Sequence, residues 1–205
     1  MQKIIDDIIP LDFQNKIDNI INKPDFPWYF LNTINIDPQN KGYSDDLITD
    51  APGLTHLVFD PDINDKSSYF YDDIVPILSY LENSINNKID KIKRIRIRRT
   101  MQTPGHNENK YTPGHVDLNT YSQYYSLVYY VDDSDGDTIL FDSKFSEMTD
   151  TILYDKQKIL TRVSPKKGRG FFFDGKIFHA GNCPINFTKR TVINFDFTLE
   201  KNYND

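Results

Sequence analysis

Apolar residues recur along this chain in two rhythms, separated by polar stretches. From Leu11 to Ile21, Phe13, Ile17, Ile20 and Ile21 share one face at helical spacing, and Asn22-Lys23-Pro24 ends the pattern. From Tyr69 to Ile85, Phe70, Ile74, Ile77, Leu78, Leu81 and Ile85 do the same. Pro76 lies inside this second run and predicts a kink or a late helix start, because proline offers no N–H to the preceding turn.

Period two dominates the rest. Ile89 to Arg99 sets Ile89, Ile92, Ile95 and Ile97, with one slip, against Lys91, Lys93, Arg94, Arg96 and Arg98, which reads as a half-exposed strand with one charged face, the alternative being an inward-pointing Arg96 or Arg98 that lines a pocket. Tyr124 to Val131 puts Tyr124, Ser126, Val128 and Tyr130 on one face and Tyr125, Leu127, Tyr129 and Val131 on the other. In the last strand Arg190, Val192, Asn194 and Asp196 oppose Thr191, Ile193, Phe195 and Phe197. The apolar set is expected to pack under the helices, which leaves Arg190 pointing into a cavity. Shorter β-like runs are Phe26–Leu31, Leu54–Phe59, Ile139–Phe141, Thr151–Tyr154 and Lys158–Val163. Phe171–Phe173 and Ile177–His179 read as a hairpin-like return across Asp174-Gly175. Loops are expected over Asn32–Pro52 and Thr103–Gly114, with an excursion at Phe145–Asp155.

A chain of 205 residues without a composition break favours one domain, with 1–93 as a buttress of helices and strands and 94–198 as the core. Its net charge of −6 gives no electrostatic footprint for a nucleic-acid backbone. Cys183 is the single cysteine, so no intramolecular disulfide forms and a reducing, cytoplasmic setting is expected. Asp6, Asp7 and Pro10 interrupt the first apolar run, unlike a signal peptide, and no window is long enough to span a membrane. Lys166, Lys167 and Arg169 belong to a cationic turn that reads as a solvated surface loop.

Candidate chemistry starts at His115-Val116-Asp117. A histidine and a carboxylate two residues apart on a strand point to one side and can reach one metal ion. His179, within Phe178-His179-Ala180-Gly181, adds a second imidazole, and two imidazoles with one carboxylate form a facial set that leaves positions open on a non-haem iron. Arg190 offers a fork that holds a carboxylate bidentately. The other two histidines read otherwise: His56 as a hydrogen-bonded strand residue, His106 as an exposed loop residue.

With these residues the chain resembles the 2-oxoglutarate- and Fe(II)-dependent dioxygenases, in the branch of prolyl 4-hydroxylases and their small bacterial and phage relatives. The resemblance rests on His115-Val116-Asp117, Leu127-Val128-Tyr129-Tyr130-Val131, Asp135-Gly136-Asp137-Thr138, Phe173-Asp174-Gly175 leading to His179, and Arg190. It covers residues 94 to 198. It implies a mainly β fold with N-terminal helices, a double-stranded β-helix or jelly roll of cupin-like type. It also implies Fe(II) held by His115, Asp117 and His179, and 2-oxoglutarate whose distal carboxylate meets Arg190, Tyr130 and Thr138, with Tyr111 as a further pocket residue. Dioxygen is then the oxidant, ascorbate a stimulating reductant, and succinate and carbon dioxide the co-products. Asp117, a carboxylate that halogenating relatives lack, implies hydroxylation. A prolyl residue or other amino acid, in a peptide, protein or small molecule, is the first expected substrate, with no nucleic-acid or membrane partner. Two alternatives stay open: an oxygenase acting on nucleobases, and a non-catalytic jelly-roll module that binds a ligand.

Overall fold

The computed structural model describes residues 1–34, 51–62, 68–145 and 158–201. In chain order the elements are β1 (Gln2–Ile5), α1 (Leu11–Ile21), β2 (Tyr29–Leu31), β3 (Gly53–Phe59), α2 (Tyr71–Ile74), α3 (Ile77–Ile85), β4 (Ile89–Met101), β5 (Tyr125–Tyr130), β6 (Thr138–Lys144), β7 (Ile159–Val163), β8 (Gly170–Asp174), β9 (Ile177–Gly181) and β10 (Lys189–Leu199). Among the described residues they form an antiparallel seven-stranded sheet, ordered β1-β8-β5-β10-β4-β3-β2, and a three-stranded sheet, β7-β6-β9. This is the jelly roll, with helices backing the larger sheet. No helix among the described residues is long and apolar enough to cross a membrane.

The helices take their places by burying one stripe each. α1 begins after Pro10 and buries Ile17, Ile20 and Ile21 together with Gln14, whose amide donates to the Ile9 carbonyl. Pro76 divides the second helical run into α2 and α3 rather than bending one long helix. Their apolar stripes meet the outward residues of the large sheet, including Ile95, Ile97, Leu127, Tyr129, Phe172, Ile193, Phe195 and Phe197. On the sheet's other side Val128, Tyr130, Phe171, Phe173 and Val192 pack against Leu140, Val163 and Ile177 of the small sheet. The parity expected for β5 and β10 is the parity found.

Several elements differ from expectation. β1 was not foreseen: it pairs antiparallel with β8 and closes that edge of the sheet, yet its four residues are mostly exposed and carry no alternation. The strand expected from Phe26 begins only at Tyr29, because Phe26 is buried beneath Trp28, Phe70 and His56. β8 and β9 are not a hairpin: the turn at Asp174-Gly175 carries the chain from one sheet to the other. The cationic turn is not simply solvated. Arg169 forks onto Asp6, Lys166 reaches Asp6 and Lys167 reaches Asp18, tying the turn to the N-terminal segment. Thr151–Tyr154, and most of the stretches 32–52 and 145–155, lie outside the described residues.

The largest correction concerns β4. Its slip is a β-bulge: Asp196 pairs with Arg94 but Phe197 with Ile92, so Lys93 is the extra residue. Beyond the bulge, Arg94 is buried, and Arg96 and Arg98 are half-buried on the same face. They line the inner face of the sheet, while Ile95 and Ile97 enter the helix-side core. Alternation fixed the two faces but could not say whether the polar one met water or a cavity.

Candidate metal centre

His115 lies in the irregular stretch between β4 and β5, not on a strand. It forms an isolated antiparallel bridge with His179 on β9, each N–H donating to the other's carbonyl at 2.9 Å. A hydrogen-bonded antiparallel pair projects both side chains to the same face. The two rings accordingly lie side by side, their centroids 4.6 Å apart. The Nδ1 atoms of His115 and His179 lie 3.1 and 3.2 Å from the carbonyl oxygens of Pro113 and Ile177, two residues before each. A carbonyl can only accept, so Nδ1 carries the proton and Nε2 presents its lone pair.

Asp117 is brought in by a bend and by a cation. Arg94 Nη2 pairs with Asp117 Oδ1 and, at 2.9 Å, with Asp196 Oδ2, while Ser126 Oγ donates to Asp196 Oδ1 at 2.7 Å. Asp117 Oδ2 is 3.1 Å from His179 Nε2. The candidate ligand atoms of His115, Asp117 and His179 all lie within 4.8 Å of one another, a spacing suited to one ion bound at about 2.0–2.2 Å from each.

Protonation suits a metal as well. Burial, aided by the neighbouring His179, lowers His115 to about 3, so its imidazole is neutral. Burial acts to raise Asp117, but the Arg94 guanidinium outweighs it and holds the carboxyl well below its usual range. Asp196 moves the other way, to about 7, because it is buried and faces the charge of Asp117. Of the two carboxylates on Arg94, Asp117, the one beside the imidazoles, is the more firmly held as an anion. Neutral imidazole and anionic carboxylate are the forms that bind metal.

A second cluster stands on the same inner face. Tyr130 Oη and Arg190 Nη2 both donate to Thr138 Oγ1 at 2.7 Å. Arg190 is buried, and its Nε has no hydrogen-bond partner among the described residues. Gly136 allows its stem to pass, since a Cβ there would come within 2.9 Å of Arg190 Cδ. Thr138 and Arg190 share a cavity of about 40 Å³ with His115, His179, Arg98 and Ile34. A wider cleft of about 530 Å³ touches Asp117 from another side, lined by Lys93, Asn119, Thr120, Gln123 and Tyr124 among others.

The structure thus brings His115, Asp117 and His179 together, and Tyr130, Thr138 and Arg190 beside them. It does not bring Tyr111. That ring packs on Phe141, centroids 5.5 Å apart, with Ile139 and Phe178 on the outer face of the small sheet. His56 is a strand residue bonded to Pro27 and Ser68, and His106 is half-buried in its loop away from the cluster. Arg94, Asp196 and Ser126 were not singled out from the sequence. Their signal was present in strand parity, since an arginine and an aspartate fall at inward positions of β4 and β10, though which strands pair is not readable locally. Asp135 has a structural part, accepting from the backbone N–H groups of Ile185 and Asn186 at 2.8 Å.

No family model and no curated protein matches this sequence. Solved structures do match the fold. An oxidoreductase of the 2OG-Fe(II) oxygenase family from Burkholderia pseudomallei is 11% identical, with a TM-score of 0.63 over 96% of this chain and 84% of that one. A prolyl-4-hydroxylase from Pseudomonas putida is 11% identical, with a TM-score of 0.53 over 98% and 93% of the two chains. The non-haem α-ketoglutarate-dependent carbocyclase SnoK from nogalamycin biosynthesis is 11% identical, with a TM-score of 0.61 over 97% and 79%. The chain has the fold of the 2-oxoglutarate/Fe(II) oxygenases.

Proposed function

We propose that this protein is a 2-oxoglutarate- and Fe(II)-dependent oxygenase that hydroxylates a C–H bond of an amino-acid substrate, a prolyl residue being the first candidate. The observation that carries the reading is the joining, on one inner face, of the His115–Asp117–His179 cluster and a buried arginine whose Nε lacks an acceptor among the described residues. A buried cation so placed is costly, and a bound carboxylate offsets the cost. His115, Asp117 and His179 would hold the iron, and Arg190, with Thr138 and Tyr130, the distal carboxylate of the co-substrate. The iron, with 2-oxoglutarate and dioxygen, supplies the oxidation, converting R–H to R–OH with release of succinate and carbon dioxide.

The chain's own contribution is placement. Arg94 fixes one oxygen of Asp117, so the other is aimed at the metal position. The Pro113 and Ile177 carbonyls fix the imidazoles. Phe171, Phe173 and Val192 keep water from the chamber floor.

An anaerobic titration tests the site without a known substrate. Metal-free protein is given Fe(II) and then 2-oxoglutarate, and the visible metal-to-ligand charge-transfer band is followed. The band is expected in the wild type, absent in His179→Ala, and present in Arg190→Ala only at higher co-substrate concentration. A folded, iron-loaded wild type without the band would overturn the reading and favour the ligand-binding module.

A further inference from the structure

A row of polar side chains crosses the inner face of the large sheet and ends at a metal ligand. Ser126 on β5 is paired in register with Asp196 on β10, and Asp196 with Arg94 on β4. Beyond Arg94 lies Asp117, which belongs to no strand. Ser126, Asp196 and Arg94 are buried, and so is the side chain of Asp117. Hydrogen bonds run along the row without a gap. Ser126 Oγ donates to Asp196 Oδ1 at 2.7 Å, and Arg94 donates to Asp196 Oδ2 from Nε at 3.1 Å and from Nη2 at 2.9 Å. The same Nη2 donates to Asp117 Oδ1. The bulge at Lys93 makes this possible. Counting by twos from Ile92, which packs with the helix-side core, Arg94 would fall on the helix side, and the extra residue turns it inward.

A bland account would make the row an ion cluster that ties three strands together. Those strands are already joined by continuous backbone ladders and by the helix-side core, and buried ion pairs are weak stabilisers compared with apolar packing. What the ladders do not hold is Asp117, which comes from an irregular stretch. Arg94 engages its Oδ1, which leaves Oδ2 as the oxygen facing the imidazoles, 3.1 Å from His179 Nε2. A carboxylate binds a cation through one oxygen or through both. For Oδ1 to swing onto a metal it would have to leave a buried guanidinium and give up a charge-assisted hydrogen bond. Asp196 and Ser126 keep that guanidinium from following.

We propose that Arg94, seated by Asp196 and Ser126, is a positioning residue that restricts Asp117 to binding the metal through Oδ2 alone, and so keeps open the position that dioxygen takes. This rests on the oxygenase reading and deepens it. Two imidazoles and a single carboxylate oxygen leave half an octahedron free, of which a chelating 2-oxo acid fills two positions and dioxygen the last. A carboxylate bound through both oxygens would fill that last position itself. The row therefore serves the reactivity of the site, and Arg94 acts on it through Asp117 without touching the reacting atoms.

The test uses the full chain and two readouts besides turnover. Calorimetry with Co(II) alone is expected to show affinity about tenfold or more weaker in Arg94→Met, the usual effect of losing a group that orients a metal ligand, and partly recovered in Arg94→Lys. Nitric oxide then stands in for dioxygen on the anaerobic Fe(II)–2-oxoglutarate complex, and the EPR signal of the adduct is counted per iron that shows the charge-transfer band. Wild type and Arg94→Lys are expected to give the full signal and Arg94→Met to lose most of it. The double variant Arg94→Met/Asp196→Asn removes the cation together with one of its carboxylates, so it avoids an unbalanced buried charge and stands in if the single variant does not fold. It is expected to behave as Arg94→Met does. A folded variant lacking Arg94 that holds Co(II) as tightly as wild type or more so, or that gives the full nitric oxide signal, would overturn the proposal and leave the row a structural one. Failure of the oxygenase reading has a different signature, the missing Fe(II)–2-oxoglutarate band in wild type.

Discussion

Strands β4 and β10 carry opposite chemistries on their two faces. Toward the helices they present Ile95, Ile97, Ile193, Phe195 and Phe197, all fully buried and in one contiguous cluster. Toward the cavity the same strands present Arg94, Arg96, Arg98, Arg190, Asn194 and Asp196. The helix-side residues are fully buried, whereas Arg96, Arg98 and Asn194 on the cavity side are half-buried. The helix side is stabilised by apolar area and close packing. The cavity side holds charges whose desolvation is only partly repaid, and it is specialised for ligands at the expense of stability.

Substitutions should therefore have opposite signs on the two faces. Phe195→Ala removes a fully buried ring from the helix side and is expected to cost about 3–5 kcal/mol in urea unfolding. The charge-transfer band should survive in whatever fraction remains folded. A loss under about 1 kcal/mol would mean that this face tolerates voids and that the contrast is overstated.

Arg190→Met on the cavity side is expected to stabilise the metal-free protein by about 1–2 kcal/mol, because it removes a desolvated charge that makes few bonds. Thr138 is not orphaned by the change, since Tyr130 still donates to it. Co-substrate affinity should fall in the same variant. If urea unfolding finds Arg190→Met less stable than wild type, Arg190 has a structural role and the trade between faces fails at its central residue.

The smallest effect is a pH slope from the helix side. His56 is buried between Phe26 and Phe70 and, despite the Pro27 carbonyl on its ring nitrogen, its pKa is lowered by burial. Below pH 6.5 the unfolded chain takes up the proton first. The stabilising contribution of His56 is thus complete above that pH and drains away as the pH falls toward its folded value. The slope is at most about 1.4 kcal/mol per pH unit. Comparing wild type with His56→Gln across this window should show a shallower slope in the variant; identical slopes would assign the acid sensitivity to other groups.

What could be read from the sequence follows the same division. The limits of α1, the break at Pro76, the parity of β5 and β10 and the slip in β4 are local consequences of spacing and of proline chemistry, and all appear in the structure. The order of His115, Asp117, His179 and Arg190 pointed to one site because that combination of residue types is chemically narrow. What stayed hidden was non-local. β1 has no amphipathic pattern because it lies at a sheet edge with its residues largely exposed. The destination of the β4 arginines depends on β10 lying beside them, and Arg94 meets Asp196 across 102 positions of sequence. Tyr111 was expected in the pocket only through the family resemblance, and the irregular stretch that joins it to His115 carries its ring to the outer face of the small sheet instead.

The backbone bridge between His115 and His179 has a consequence for how the chain can be divided. Asp117 and His179 are 62 positions apart and Thr138 and Arg190 are 52 apart, with β6 and β9 in the small sheet and β10 in the large one. The stretch from His115 to Arg190 holds these residues but leaves out β4 and most of β10, on which the inner face is built. The site cannot be excised as a peptide, moved between scaffolds as a loop, or split between two halves that fold apart, because the ligands become neighbours only when the roll closes.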